Sequence, residues 1–351
     1  MKNKVTIITT PHSDERHPYL KRFLSYYAQF EFFPTIIVAD SSPTPITDTK
    51  ILHYINLLNV KYIKYPHSLH IKDKLVEILE FITTPYCLIC PEDDIVTIKG
   101  ISEAVNILDE DHVSVLVSGF SLAYILLDGD VKISHSYLPQ EISDIDIEKT
   151  LGYFISKYPY VLYSSIYRVE IFKKIWLLRK NNTNDLEFGE LLPAFLSPIY
   201  GNLAVIKSLF VVRSYFHDSS GQSNKSYRMM DMVDDNSYIK RYNQFKECMV
   251  KEINNNSDLD SKEAEKLVDK SFGKYFTERF GCNYLQLRRK ILLKKILKKT
   301  GVFSFAKRLK SKIKPNPVIV SQEQNYEDDP LFPKDEWDEM KMFLENNIIS
   351  Q

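Results

Sequence analysis

With 351 residues, 44% hydrophobic and 26% charged, the chain has ordinary globular values and is long enough for a full α/β domain plus a smaller appendage. Its 46 basic residues balance its 46 acidic ones, which excludes a global nucleic-acid footprint, and no nucleic-acid partner is expected. No apolar run reaches the roughly 18 residues that span a bilayer, so the chain is expected to touch a membrane at most.

Lys4 to Thr9 (KVTIIT) is apolar and β-branched, as in a strand buried on both faces of a parallel sheet. It ends at Thr10-Pro11, and His17 to Phe30 then shows helical spacing through Leu20, Phe23, Leu24 and Tyr27. Thr35 to Ala39 is a second strand, stopped by the turn formers Asp40-Ser41-Ser42-Pro43. A helix from about Lys50, a strand over Val60 to Tyr65, an amphipathic helix over Lys72 to Ile82 and a strand over Tyr86 to Cys90 follow. This alternation predicts right-handed βαβ units and an open parallel sheet. Cys87 and Cys90 have a C-x-x-C spacing, but residues three apart on a strand point to opposite faces and cannot share a metal. Four cysteines without a signal sequence predict a reducing, cytoplasmic setting.

Further on the pattern is less regular. Val113 to Ser118 and Leu122 to Leu127 read as strands, and Val131 to Leu138 pairs back around Asp128-Gly129-Asp130, a hairpin signal. Tyr160 to Tyr167 and Phe210 to Tyr215 are further strands, with helices near Glu170 to Arg179 and Glu187 to Leu196. Strand signals stop near Gly221 to Ser226. The expected organisation is a catalytic domain over 1–222, a mainly helical extension over 223–320 and a poorly patterned acidic tail over 321–351. The stretch Leu285 to Pro317 holds twelve Lys or Arg and no acid. A cationic amphipathic helix there suits an anionic membrane surface, and it equally suits a solvated helix packed on the domain.

In open parallel sheets, ligands bind beyond the carboxyl ends of the strands. Three polar clusters fall there: Thr9 to Asp14, Asp40 to Ser42, and Pro91 to Asp94. Consecutive Glu92, Asp93 and Asp94 repel one another unless solvated or bound to a cation, and their oxygens suit Mg²⁺ or Mn²⁺ bridging a diphosphate.

The order V-T-I-I-T-T-P, R-H-P-Y-L-K-R-F-L, I-I-V-A-D-S-S and then the acidic triplet resembles family-two-type GT-A glycosyltransferases of bacterial surface-polysaccharide synthesis. The likeness covers the first hundred residues well and reaches Gly221 more loosely. It implies an α/β GT-A fold, Rossmann-like, with a mostly parallel sheet flanked by helices. The implied activity is transfer from a nucleotide-sugar donor to a glycan or lipid-linked glycan acceptor, with Mn²⁺ or Mg²⁺ and by inversion. Thr10 and Pro11 would line the nucleotide pocket, Asp40 would contact the base, and Lys74 would lie near the nucleotide. Asp94 and Glu92 would hold the metal, with Glu92 or Asp93 nearer the ribose; Glu stands where Asp is usual, which leaves the two metal-touching acids open. The resemblance places a general base in the segment holding Asp185, Glu187 and Glu190, which also fit favourable acids at a helix start. His217 would complete the metal shell, and Arg213 would meet phosphate. Tyr163 to Arg168 would border the acceptor pocket. The rivals are a nucleotidyltransferase, which would usually carry glycine in the loop over Thr9 to Asp14 where this chain has none, and a non-catalytic glycan binder.

Overall fold

The structure is a computed structural model that describes residues 4–127, 129–143, 147, 150–151, 162, 164–183, 186–215, 229–299 and 329–349. Its centre is a mixed nine-stranded sheet whose first half follows the expected alternation. Strand β1 (Val5–Thr9) pairs in parallel with β2 (Thr35–Asp40) and β4 (Tyr86–Ile89), and β2 pairs in parallel with β3 (Lys61–Lys64). The connecting helices are α1 (His17–Tyr27), α2 (Thr49–Leu57) and α3 (Ile71–Ile78). Because side chains alternate along a strand, Ile36 and Val38 enter one core while Ile37 and Ala39 enter the other. Cys87 and Cys90 part in the same way, one into each core, both buried and free. Leu20, Phe23, Leu24 and Tyr27 form the single buried stripe that presses α1 on the sheet.

The second half is where the pattern was harder to read. Residues expected as two strands form one 14-residue strand, β6 (Ser114–Leu127). It runs unbroken beside a long parallel neighbour, β9 (Asn202–Ser214), because β9 takes up the irregularity with extra residues opposite Gly119 to Ser121. A Cβ on Gly119 would lie 2.5 Å from Ile206 Cγ1, so only glycine admits that approach. On β9 the same irregularity consumes Lys207 and Ser208, the polar pair that hides the strand's first half from a reading by apolar periodicity. Strand β7 (Asp130–Tyr137) closes the expected hairpin on β6 with Gly129 at φ +88°. Two short strands complete the sheet: β5 (Ile95–Val96) lies antiparallel to β9, and β8 (Ile166–Arg168) lies antiparallel between β4 and β6.

Helix α4 (Ile98–Glu110) covers the same face as α1. The opposite face takes α5 (Val169–Asn182) and α6 (Leu186–Tyr200). The helices that follow, α7 (Met229–Asp234), α8 (Tyr238–Asn256), α9 (Ser261–Phe280) and α10 (Tyr284–Lys299), put their buried residues into that same core. Phe188 of α6 stacks on Phe272 of α9 with ring centroids 5.8 Å apart, and Phe245 of α8 lies 5.3 Å away. The boundary expected at Gly221 to Ser226 lies outside the described residues. No described helix is long and apolar enough to cross a membrane.

The tail carries an amphipathic helix, α11 (Lys334–Asn346), where none was expected. Trp337, Met340 and Leu344 bury on the α1 face, and Phe343 meets Tyr26 edge-on at 5.3 Å. Glu336 accepts the amide of Leu209, at the end of the β9 irregularity, at 2.6 Å and pairs with Lys99. Three buried apolar residues, spaced among five acids and an exposed Met342, give too thin a stripe to be told from a solvated tail without the surface that receives it. Truncating Trp337, which is 2% exposed, to alanine is expected to cost about 3–5 kcal/mol in a urea titration. A loss below about 1 kcal/mol would show that α11 does not help hold the sheet.

Candidate functional site

The carboxyl ends of β1, β2 and β4 meet. The Ser41 amide donates to Pro11 O at 2.9 Å, the Thr44 amide to Asp14 Oδ1 at 3.1 Å and the Cys90 amide to Ile8 O at 2.9 Å. Thr10 and Pro11 thus lie beside the loop that opens with Asp40. Asp40 itself is fully buried and saturated by donors of its own loop and the next strand. The Ser42 amide (2.7 Å) and hydroxyl (2.5 Å) reach Oδ1, while the Tyr62 hydroxyl (2.6 Å) and Lys64 Nζ (3.0 Å) reach Oδ2. Burial alone would raise its pKa, but these hydrogen bonds outweigh it and hold the carboxyl below its usual value. Lys74, also buried, donates to Ser41 Oγ at 2.9 Å. Burial pulls its pKa down to about 8 against the opposing pull of Glu92 and Asp40.

The acidic triplet turns tightly after β4, with the Asp94 amide donating to Pro91 O at 3.0 Å. Each acid is met by an arginine. Arg16, at the start of α1, pairs with Glu92 and, at 2.8 Å, with Asp93. Arg22, one and a half turns along the same helix, donates to the Asp93 carbonyl at 3.1 Å. Tyr19 lies between them, its ring centroid 5.0 Å from the Arg16 guanidinium and 5.6 Å from that of Arg22. Asp94 is placed by strand register. Because Ile95 opposes Val212 across β5 and β9, residue 94 falls opposite Arg213. The Arg213 Nε donates to Asp94 Oδ2 at 3.2 Å and the Ser214 amide to Oδ1 at 3.0 Å. Even so, burial pushes the Asp94 carboxyl up to about 7.

Of the acids expected as a base, Glu187 on α6 pairs with Arg279 at 3.1 Å, so the helical extension reaches this edge. Glu190 lies one turn further and feels the charge of Arg213. Burial, then the neighbouring Glu187, raises its pKa. Asp185 and His217 lie outside the described residues, as does Tyr163; Arg168 instead donates to the carbonyls of Leu108, Asp111 and Ser114 on the flank of α4.

No protein-family model matches the sequence, and no curated protein matches it. Among solved structures, residues 1–349 of TarS from S. aureus in complex with UDP-GlcNAc superpose with a TM-score of 0.51 at 16% identity, over 79% of this chain and 73% of that one. The chain has the GT-A fold. Mannosyltransferase PcManGT from Pyrobaculum calidifontis, in complex with GDP-Man and Mn²⁺, is similar over 99% of this chain and 86% of that one, at 10% identity and a TM-score of 0.46.

In this GT-A chain the strand-end clusters read from the sequence converge. The arginines Arg16 and Arg22 were missed as site residues, although both stand in the quoted R-H-P-Y-L-K-R segment. The signal was electrostatic: three adjacent acids at a strand end, once taken largely out of water, require cations on the facing element. Among the described residues no group of three or more His, Cys, Asp or Glu is arranged to hold a metal by itself. The donor set nevertheless fits a hard divalent ion, since Mg²⁺ is usually held by one or two carboxylates together with substrate phosphates and water. Glu92 and Asp94 would supply the carboxylates.

An acid whose pKa is raised on folding binds its proton preferentially in the folded chain. Its favourable contribution is complete below the ordinary carboxylate pKa of about 4 and is lost as pH rises through about 7. Asp94→Asn is therefore expected to flatten the decline in stability across that window, by on the order of a few kcal/mol. Urea midpoints of both proteins across the window measure this; parallel curves would show that the Asp94 carboxyl is not held up by burial.

Proposed function

We propose that this chain is a glycosyltransferase that moves a sugar from a nucleotide-sugar donor to a hydroxyl of a surface glycan, with Mn²⁺ or Mg²⁺ and with inversion. The observation that carries this reading is the placement of Glu92, Asp93 and Asp94 at the end of β4, facing the loops of β1 and β2, in a GT-A sheet. In this reading Thr10, Pro11 and Lys74 border the nucleotide. Asp40 acts on the base chiefly by fixing the loop that carries Ser41 and Ser42. Glu92 and Asp94 would hold the metal, with His217 as a third ligand and Asp93 towards the ribose, and Arg213 would face phosphate. A divalent ion there supplies positive charge to the departing diphosphate. Glu190 is the preferred base, because a carboxyl raised by burial takes a proton from an acceptor hydroxyl more readily near neutral pH. Glu187 is held by Arg279, and Asp185 remains the third candidate.

Thermal shift against UDP-, GDP-, CDP-, dTDP- and CMP-linked sugars, with Mn²⁺ and with EDTA, tests the reading. TarS was crystallised with UDP-GlcNAc, which makes that donor the first probe. Metal-dependent stabilisation by one nucleotide class is expected, and silence across the panel at millimolar ligand would count against a transferase. With a donor in hand, Glu190→Gln is expected to lower kcat by about 10²- to 10⁴-fold while donor binding persists. An undiminished kcat would move the base to Asp185 or Glu187.

The acceptor is proposed to be lipid-linked and met at the inner face of the cell membrane. Helix α10 buries Leu287 and leaves Leu285, Leu292, Leu293 and Ile296 between 50% and 60% exposed. Helical spacing puts these four on a face about 100° wide that Arg289 shares and that Arg288 and Lys290 border, and the segment from Leu285 to Pro317 has no acid. That pairing of apolar stripe and cations suits an anionic bilayer. Leu292→Gln with Leu293→Gln is expected to lower partition onto phosphatidylglycerol vesicles about tenfold or more. Equal binding of the wild type to neutral and anionic vesicles, or none to either, would refute this docking.

A further inference from the structure

The contact between Arg16 and the acidic triplet is not a surface ion pair. The side chains of Arg16, Glu92 and Asp93 are 14%, 3% and 13% exposed, and one guanidinium bridges two adjacent carboxylates. Its position is set from both sides. Arg16 ends the 3-10 turn Asp14–Arg16 and caps the start of α1, while its guanidinium lies over the ring of Tyr19 on the next turn. Asp94 is matched separately by Arg213.

This arrangement bears on how a cation could enter. A bare divalent ion would bring two positive charges to carboxylates already matched by guanidinium groups. It would also compete with Arg16 for the same oxygen lone pairs in a space poor in water. A divalent ion arriving with a nucleoside diphosphate is different, since the pair is close to neutral and the phosphate oxygens offer Arg16 a replacement for what it gives up. We propose that Arg16 is a built-in counter-ion that keeps Glu92 and Asp93 closed to metal until a diphosphate is present, and that it then exchanges those carboxylates for the diphosphate. The proposal rests on the metal-assisted reading above and adds an order to it: metal and donor load together, coupled through one residue. By linkage, whatever diphosphate does for metal affinity, metal does equally for diphosphate affinity.

The test is direct binding of Mn²⁺ to the full chain, read from the loss of the free-ion electron paramagnetic resonance signal, alone and with UDP or GDP. For the wild type, Mn²⁺ alone is expected to bind weakly and the matching nucleoside diphosphate to tighten it. Arg16→Gln is expected to tighten Mn²⁺ alone by about tenfold or more and to shrink the added effect of the diphosphate. Arg16→Lys keeps the charge but cannot bridge two carboxylates, so it is expected to fall between them, and it remains informative if Arg16→Gln fails to fold. If both variants bind Mn²⁺ alone no tighter than the wild type does, the counter-ion role is overturned while the metal reading stands. If none of the proteins binds Mn²⁺ even with a diphosphate, the metal reading falls and takes this proposal with it.

Discussion

Everything in the site follows from the need to neutralise three adjacent carboxylates that the fold takes partly out of water. Burying an unmatched charge is among the most unfavourable things a chain can do, so each acid must find a cation or a donor on another element. Arg16 comes from the turn that leads into α1, Arg213 and the Ser214 amide come from β9, and Arg22 of α1 holds the Asp93 carbonyl. The acids therefore tie together the beginning of the chain, the turn after β4 and a strand more than a hundred residues later. Asp94 remains poorly compensated even so, and its raised pKa is the residue of that balance.

Register makes this tying possible. β5 is only two residues long, yet its pairing to β9 determines that Arg213, and no other residue of β9, stands opposite Asp94. The helical extension acts on the other edge. Phe188 is clamped among rings of α8 and α9, and it lies between Glu187 and Glu190 in the chain, so the extension fixes the part of α6 that presents those acids. The extension thus holds the part of α6 that carries the proposed base as well as filling the core.

The elements of the nucleotide-binding half were legible because strands buried on both faces read as unbroken apolar runs, and Val5–Thr9, Thr35–Asp40 and Tyr86–Ile89 all do. The triplet was legible because its position at a strand end needs no tertiary information. What stayed hidden depends on contacts across the sequence. Gly119 looks like a strand end until β9 is beside it, and Lys207-Ser208 looks like a loop until it proves to be the irregularity facing that glycine. Asp40 was readable as an acid at a strand end, but its saturation by Tyr62 and Lys64 comes from a different strand. Arg16 carries no distinguishing local pattern, since a cation near a helix start is ordinarily solvent-exposed.

Helix α11 has a kinetic implication for a nascent chain. The core that holds Val5, Leu20 and Phe23 also holds Trp337 and Leu344, and the ion pair from Lys99 to Glu336 spans 237 residues. Ribosomes add about 5–20 residues per second, so strands β1 to β4 emerge on the order of ten seconds or more before the helix that covers their face. Until α11 docks, Tyr26 lacks the Phe343 ring that meets it edge-on. The core begun by the first strands is thus completed by a contact of very high sequence separation, the kind whose loop closure slows folding.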